Sequence, residues 1–339
     1  MNNLIKKFML IFLLIAVTAA GYCGFFVKWA FRDGDPELGF EVMLEGTAKR
    51  PFVHRQLLPV IVKKSVELLP TQTKEKLQAK LENKNQLENL FAQSNIQKKF
   101  LLEYHLMYAL CFLIFLAAIC ILRIILIEVT QDKFSATLGA CLFAILFPFL
   151  EVVGGYYYDF GEIFFFFLAV LFAIRKKFIA LLLITPFAEL NKESFLFFLA
   201  TLFPMLGLKK TFSLMFIAGL TYLYVKNIFI NNPGDSADLQ LWNHLDQLFD
   251  VSSYFMTATT YGLPLPTRIF FLHVIYVVWI VKNFWCKLSN DWKLHAKIAL
   301  AINGTLYILF IAPGELRDLS MLYISFIIMT TYFIKELKE

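Results

Sequence analysis

Residues 8–27 read FMLIFLLIAVTAAGYCGFFV, and Arg32-Asp33-Gly34-Asp35-Pro36 follows this run after a short connection. A helix needs about 20 predominantly apolar residues to cross a bilayer, so the run predicts a first membrane span. Lys6 and Lys7 precede it, and short flanking segments rich in lysine and arginine stay in the cytoplasm. We therefore expect the acidic stretch 32–36 to emerge on the extra-cytoplasmic face.

The composition of the whole chain also indicates a membrane protein. Apolar residues make up 59% of the 339 residues and charged residues 17%, whereas soluble domains have about 45–50% and about 25%. Long, nearly uncharged runs recur, for example at residues 106–127 and 269–281. The alternating polarity of a membrane β-barrel is not evident. The predicted class is all-α: a polytopic helical bundle forming a single transmembrane domain, residues 1–339.

Charged loops predict the topology. Every short loop on the predicted cytoplasmic side carries lysine or arginine, as in residues 175–177 and 209–210. This pattern places both termini in the cytoplasm, and we expect a bacterial inner membrane. Orienting lysines then account for the net charge of +6, so no nucleic-acid partner is expected. Two long outer loops cover residues 28–103 and 231–267. The ten predicted spans are residues 8–27, 104–127, 135–153, 160–174, 178–190, 194–208, 211–230, 269–281, 294–312 and 320–334.

The first outer loop contains the pattern of a helix that lies on the membrane surface. Apolar residues recur at helical spacing within residues 57–69, with Lys63, Lys64 and Glu67 on the opposite face. Such an apolar face buries itself at the boundary between headgroups and acyl chains. Residues 71–99 give a second, weaker amphipathic pattern.

Polar residues from several separate segments share the predicted outer side. Short turns need polar residues in any case, and residues 156–158 also fit an interfacial belt of tyrosines. Glu162 lies inside the next predicted span, and a charge at a helix centre costs roughly 2.5–3.5 kcal/mol on insertion. Because these segments lie together on one side, we expect a lined cavity there. Besides Asp33 and Asp35, the candidate site residues are His54, Arg55, Tyr158, Asp159, Glu189, Lys192, Glu193, Glu315 and Arg317.

The residue types indicate one kind of chemistry. Asp33 and Asp35 flank Gly34, and a carboxylate with an apolar rim has a pKa raised toward the range useful to a general base. Arginine binds phosphate oxygens through a planar fork. Amphipathic helices beside such a site give a lipid-borne substrate a lateral path. Together these parts describe transfer from a lipid-linked phosphate to a hydroxyl at the membrane surface.

The chain resembles the GT-C class of integral-membrane glycosyltransferases, which use polyprenyl-phosphate sugars. The shared features are the first span, the acidic motif 33–35 early in a large outer loop, the stretch Gly46…Arg50-Pro51-Phe52…Arg55…Leu58-Pro59, and amphipathic helices before the remaining spans. The resemblance implies that an aspartate of the motif, Asp33 or Asp35, is the catalytic base. It also implies that basic outer residues hold the donor phosphate, and the candidates are Arg55, Lys192 and Arg317.

The same resemblance implies the cofactors and partners. Most members with monosaccharide donors need no metal, so no cofactor is expected, and a divalent ion at Asp33 and Asp35 is the alternative. The expected partners are a lipid-linked donor of a hexosyl or pentosyl group, a glycan, lipid or protein acceptor, and the bilayer. Which of these sugars and acceptors is used stays open.

Three other functions compete with this interpretation. A polysaccharide polymerase or ligase acting on lipid-pyrophosphate glycans would share the outer arginines without needing the aspartate pair. A lipid or glycan transporter would need polar residues deep in its spans, and the sequence has few of them. A structural or assembly subunit would tolerate loss of all the outer charges.

Overall fold

The protein is described by a computed structural model covering residues 3–32, 35–82, 98–151, 155–234, 239–260, 263–266 and 269–339. It is built of α-helices, joined in places by short 3-10 helices. The α-helices are α1 (Asn3–Trp29), α2 (Phe40–Glu45), α3 (Leu57–Glu67), α4 (Thr71–Glu82), α5 (Leu101–Thr130), α6 (Lys133–Leu150), α7 (Tyr157–Ile174), α8 (Phe178–Asn191), α9 (Ser194–Thr201), α10 (Phe203–Leu206), α11 (Leu208–Ile228), α12 (Leu241–Phe249), α13 (Phe271–Phe284), α14 (Asn290–Phe310) and α15 (Ser320–Lys338).

Five helical segments are long and apolar enough to cross a membrane, so the helical membrane class is confirmed. Their outward faces are apolar, as Phe8 and Leu113 show by being more than half exposed. Side chains of this kind face lipid in an integral membrane protein. The five segments are Leu4–Trp29, Leu101–Thr130, Lys133–Leu150, Tyr157–Ile174 and Leu316–Lys338.

The other five predicted spans correspond to helices that do not meet this length and hydropathy. Helices α8 and α13 have 14 residues each. The predicted span 194–208 is divided into α9 and α10, which meet at Leu202. Helices α11 and α14 each have 21 residues but carry lysines within the helix.

A short hairpin departs from the all-helical expectation. Strands β1 (Thr257–Thr260) and β2 (Leu263–Pro266) pair antiparallel inside the predicted second outer loop. Tyr261 and Gly262 lie between the two strands in the sequence and are outside the described residues.

Helix boundaries follow local hydrogen bonding, as the turn between α5 and α6 shows. Gln131 has a left-handed backbone (φ +57°), and its N–H donates to the carbonyl oxygen of Ile127 at 2.9 Å. Asp132 then accepts a hydrogen bond from the N–H of Phe134 at 3.1 Å and caps α6. The helix end and the helix start thus satisfy backbone groups that have no partner within the helices.

Helix α5 packs against α1, α6 and α7. Its buried face includes Cys111, Phe115 and Ile119. Helices α1 and α6 approach so closely that a Cβ atom on Gly21 would lie 2.0 Å from the carbonyl oxygen of Ala144. Small residues permit such backbone contact between membrane helices.

The bundle has two ends with different chemistry. At one end, α1 meets the end of α6, where Trp29 Nε1 donates to the carbonyl oxygen of Glu151 at 2.7 Å. Buried charged side chains such as Asp159, Lys192 and Arg317 also meet at this end, and we call it the cluster end. The opposite end, called the basic end, holds the arginine and lysines of the short loops. Its polar contacts are Arg175–Glu128, Lys287–Glu336, Lys335–Thr130 and Lys338–Asp132.

The two predicted outer loops are joined by hydrogen bonds at the cluster end. Asn232 Nδ2 donates to the carbonyl oxygens of Gly46 at 2.8 Å and Ala48 at 3.1 Å. Arg50 Nη2 donates to the carbonyl oxygen of Gly234 at 2.6 Å. The segments after α1 and after α11 therefore form one surface.

Candidate functional site

Buried charges from four elements meet at the cluster end. They come from the segment after the 3-10 helix Phe52–His54, the first turns of α7, the junction of α8 and α9, and the 3-10 helix Leu316–Leu319 with the residue before it. We call this group the charged cluster. Its members are Arg55, Asp159, Glu162, Lys192, Glu193, Glu315, Arg317 and Asp318.

Lys192 is the central cation of the cluster, and only 6% of its side chain is exposed. It lies between α8 and α9, where its backbone is extended (φ −161°). Its Nζ donates to Glu162 Oε2 at 2.8 Å, Asp318 Oδ1 at 3.2 Å and Asp159 Oδ1 at 3.3 Å. Burial by itself lowers the pKa of Lys192, but the three carboxylates outweigh burial and raise that pKa well above its ordinary value. Lys192 therefore remains an ammonium ion.

Arg317 is the second cation and shares Asp159 with Lys192. Its Nη1 lies 3.3 and 3.1 Å from the two carboxylate oxygens of Asp159. Its Nε and Nη2 donate to Glu315 Oε1 at 3.1 and 2.5 Å. Asp159 also accepts a hydrogen bond from the N–H of Tyr156 at 2.8 Å, so the same carboxylate stabilises the positive end of the α7 dipole.

Arg55 forms a two-bonded ion pair with Glu193. Arg55 Nε lies 3.0 Å from Glu193 Oε2, and Nη2 lies 2.5 Å from Oε1. The guanidinium also stacks over the ring of Tyr158 at 4.4 Å from its centroid. Burial raises the pKa of Glu193, but Arg55 outweighs burial and holds that pKa below its usual range. Both groups are therefore ionised.

The balance of charge limits what the cluster can bind. Three cations face five carboxylates, and each cation is already paired. A phosphate that reaches Arg55 or Arg317 must therefore displace Glu193 or Glu315. The side chains of these two carboxylates are partly exposed, 26% and 16%, so displacement toward solvent is open to them.

Several buried polar side chains near the cluster have atoms without a hydrogen-bond partner among the described residues. Glu151 Oε2 and both ring nitrogens of His54 are among these atoms. Burial, and after it the charge of Asp159, raises the pKa of Glu151 well above its ordinary value. Burial lowers the pKa of His54, whose ring meets Tyr222 edge-on at 6.0 Å. Both pKa shifts favour the uncharged forms of Glu151 and His54.

The acidic motif of the first outer loop is only partly described. Asp33 lies outside the described residues. Asp35 Oδ1 accepts hydrogen bonds from the N–H groups of Glu37 and Leu38, both at 2.9 Å, and so caps a turn. Arg32, the neighbour of Asp33, stacks over Trp29 at 5.0 Å and Tyr156 at 4.9 Å from the ring centroids.

Tyr156 connects that motif with the charged cluster. The guanidinium of Arg317 lies 4.8 Å from the centroid of the Tyr156 ring, on which Arg32 also stacks. Arg32, the residue that precedes the motif in the sequence, is therefore separated from the cluster by one aromatic ring.

The structure brings most of the sequence-predicted site residues into direct contact, whereas His54 and Glu189 lie beside that group and Asp35 caps a turn at its edge. Glu151, Glu162 and Asp318 are not among the predicted site residues, although Glu162 is a charge inside a predicted span. The signals for Glu151 and Asp318 were a carboxylate directly after the apolar run of α6 and a carboxylate adjoining Arg317. The predicted residues in mutual contact are Arg55, Tyr158, Asp159, Lys192, Glu193, Glu315 and Arg317.

The described side chains do not indicate a metal site. Within the described part of the chain, no group of three or more His, Cys, Asp or Glu side chains is arranged to hold a metal ion. Where three carboxylates do converge, the ammonium group of Lys192 lies among them.

Comparison of the chain with protein-family models, curated proteins and solved structures gave no match. Fold and site together define a helical integral membrane protein with a buried charged cluster at one end of its bundle.

Proposed function

We propose that this protein is an integral-membrane glycosyltransferase of the GT-C type. It moves a hexosyl or pentosyl group from a lipid-linked phosphate donor to a hydroxyl of a glycan, lipid or protein acceptor. The observation that carries the proposal is the sharing of Tyr156 by Arg32 and Arg317. It supports the proposal because Arg32 adjoins Asp33 in the sequence, and Arg317 is a cation of the kind that binds phosphate.

The proposed reaction is a single displacement with inversion. Asp33 or Asp35 removes the proton of the acceptor hydroxyl, whose oxygen then attacks the anomeric carbon of the sugar. The bond from that carbon to the phosphate oxygen breaks, and the phosphate leaves on its lipid. Arg55 and Arg317 stabilise the negative charge of the leaving phosphate after Glu193 and Glu315 turn outward.

The proposed topology has ten spans, both termini in the cytoplasm and the cluster end on the extra-cytoplasmic face of a bacterial inner membrane. The outer loops are then residues 28–103 and 231–267. Support comes from the gathering of short-loop arginine and lysines at the basic end, because cytoplasmic loops carry an excess of these residues.

The proposal is tested by sugar transfer in proteoliposomes. The full chain is supplied with a panel of radiolabelled undecaprenyl-phosphate monosaccharides and with bacterial envelope lipids and glycans as acceptors. Asp33→Asn and Asp35→Asn are compared with Asp246→Asn, which removes an exposed carboxylate far from the motif in sequence. The Asp35→Asn side chain keeps an oxygen that can accept from the N–H groups of Glu37 and Leu38.

We expect one variant of the motif to lose about 10²–10⁴-fold in rate, which is the usual contribution of a general base, and the Asp246 variant to retain full rate. Full activity in both motif variants would show that neither Asp33 nor Asp35 is the catalytic base. Absence of transfer by the unmodified chain from every donor would reject the monosaccharide transferase. Transfer from a lipid-pyrophosphate oligosaccharide alone would instead identify a polymerase or ligase.

A further inference from the structure

Helix α12 is amphipathic in sequence. At 100° per residue, Leu241, Trp242, Leu245, Leu248 and Phe249 share one face of the helix. The opposite face carries the polar residues Asn243, His244, Asp246 and Gln247. A helix on a water-exposed surface turns such an apolar face toward the protein core.

Helix α12 presents its polar side to the protein. His244 Nε2 lies 2.9 Å from the carbonyl oxygen of Ile311, and its ring packs on Tyr307 with centroids 4.8 Å apart. Gln247 is buried. The N–H of Gln240, just before the helix, donates to the carbonyl oxygen of Leu309 at 2.7 Å. Polar contacts thus fasten α12 to the end of α14.

The apolar side of α12 faces outward. Trp242 is 68% exposed, Leu248 58% and Phe249 79%. The apolar surface continues along the chain through Val251 and Phe255, which are also more than half exposed. Monomeric soluble proteins rarely expose contiguous apolar patches of this kind. The orientation is the reverse of that expected in water.

We infer that α12 lies in the membrane interface, with Trp242, Leu248 and Phe249 inserted among the lipids. The lipid-facing character is continuous with α13, where Leu272, Ile275 and Val278 are likewise more than half exposed. Tryptophan is enriched at membrane interfaces, where its ring has an apolar body and a polar N–H.

The charge of this segment indicates apolar anchoring. Residues 227–267 contain no lysine or arginine, so anionic headgroups have no cation to attract there. Asp246 lies on the polar side and is exposed. The helix therefore binds the bilayer through buried apolar area.

The same helix fixes the depth of the charged cluster. Tyr307, on which His244 packs, accepts a hydrogen bond at its Oη from the N–H of Gly314 at 2.8 Å. The next residue, Glu315, pairs with Arg317. A helix at the interface therefore holds the cluster near the level of the lipid headgroups. This inference does not depend on the proposed transfer of sugars.

Spin labelling of the full chain tests the inference. The five native cysteines are replaced, and a nitroxide is attached to Trp242→Cys or Phe249→Cys in nanodiscs of POPC and POPG. Matched labels at Asn243→Cys and Asp246→Cys report on the exposed polar side of the same helix. Collision with oxygen, which concentrates in lipid, is compared with collision with the water-soluble complex NiEDDA. The thermal midpoint of each variant is compared with that of the cysteine-free chain.

We expect oxygen to dominate at positions 242 and 249 and NiEDDA to dominate at 243 and 246, with at least a five-fold difference in their collision ratios. NiEDDA access at 242 and 249 would show that this face is in water and overturn the inference. Exclusion of both reagents would show that a second copy or another protein covers it, which also overturns the inference. Pure POPC nanodiscs should give the same ratios, and a requirement for POPG would reject apolar anchoring. Two independent positions keep the test decisive if one variant does not fold.

Discussion

At the scale of single residues, Lys192 is the side chain on which the buried cluster most depends. Its ammonium group is the hydrogen-bond donor common to Asp159, Glu162 and Asp318. A buried ion pair contributes little compared with an apolar replacement of both partners, but removal of one partner alone leaves a charge without compensation. The cluster therefore makes the protein sensitive to individual substitutions.

Lys192→Met is expected to lower the free energy of unfolding by about 3–5 kcal/mol, because three carboxylates lose their shared cation. The matched control is Lys338→Met, which breaks an exposed pair with Asp132 and should cost about 0–1 kcal/mol. The thermal midpoints of both variants in detergent measure the difference. Equal midpoints would show that Lys192 does not hold the cluster together.

We expect Glu151 to make the stability of the protein depend on pH. Its pKa is raised in the folded state by burial and then by Asp159, so its contribution to stability is fully present below the unfolded pKa of about 4.3 and is lost as pH rises toward the folded value. Glu151→Gln removes this loss. We expect the variant to match the unmodified chain near pH 4 and to melt at a higher temperature at pH 7 and 8. A variant less stable at pH 8 would contradict the assignment.

At the scale of secondary-structure elements, helix contacts are set by small residues. Gly21 on α1 lies against the backbone of Ala144 on α6, whereas a Cβ atom on Gly219 of α11 would meet no atom within 4 Å. The two glycines therefore differ in what they contribute to helix packing. One permits an approach of backbones, and the other only lowers helix propensity.

Gly21→Ala should destabilise the protein by about 1–3 kcal/mol, because α1 and α6 must separate to admit the methyl group. Gly219→Ala should be neutral or stabilise it by up to about 1 kcal/mol, the difference in helix propensity. Thermal unfolding of the two variants side by side checks the pair. The contact between α1 and α6 would be refuted by a Gly21 variant as stable as the Gly219 variant.

Much of the element level follows from the sequence, since long apolar runs such as residues 8–27 and 106–127 fall within single helices. Partner choice within the cluster does not follow. Arg55 pairs with Glu193, which lies 138 residues further along the chain. Hydrophobic periodicity is a local pattern and does not predict such a distant contact. The orientation of α12 could not be predicted from the sequence either, because an amphipathic pattern alone does not show which face contacts the protein. Asp35 illustrates a further limit, since a carboxylate after glycine serves a turn as readily as a reaction.

At the scale of the whole molecule, the native cysteines offer a test of orientation. Cys286 is exposed and adjoins Lys287 at the basic end, and Cys23 is exposed within the apolar helix α1. A membrane-impermeant maleimide reacts with thiols in water and does not enter lipid. The proposed topology places Cys286 in the cytoplasm.

We expect this maleimide to label the protein in inside-out vesicles and to leave it unlabelled in intact cells. Cys286→Ser is the control and should abolish labelling, because Cys23 faces lipid. Labelling of intact cells through Cys286 would invert the topology and move the cluster end to the cytoplasmic face.

The long-range pairing of the cluster also bears on how the chain is made. Arg55 leaves the ribosome 138 residues before Glu193, and Asp159 leaves it 158 residues before Arg317. At about 5–20 residues per second, synthesis separates the two members of each pair by roughly 7–32 seconds. Arg55 is therefore without its partner until Glu193 has been synthesised, and Asp159 is without Arg317 until the segment before α15 has been synthesised. The charged cluster is complete only after Asp318 has been synthesised, because Glu315, Arg317 and Asp318 come from the segment directly before the last helix.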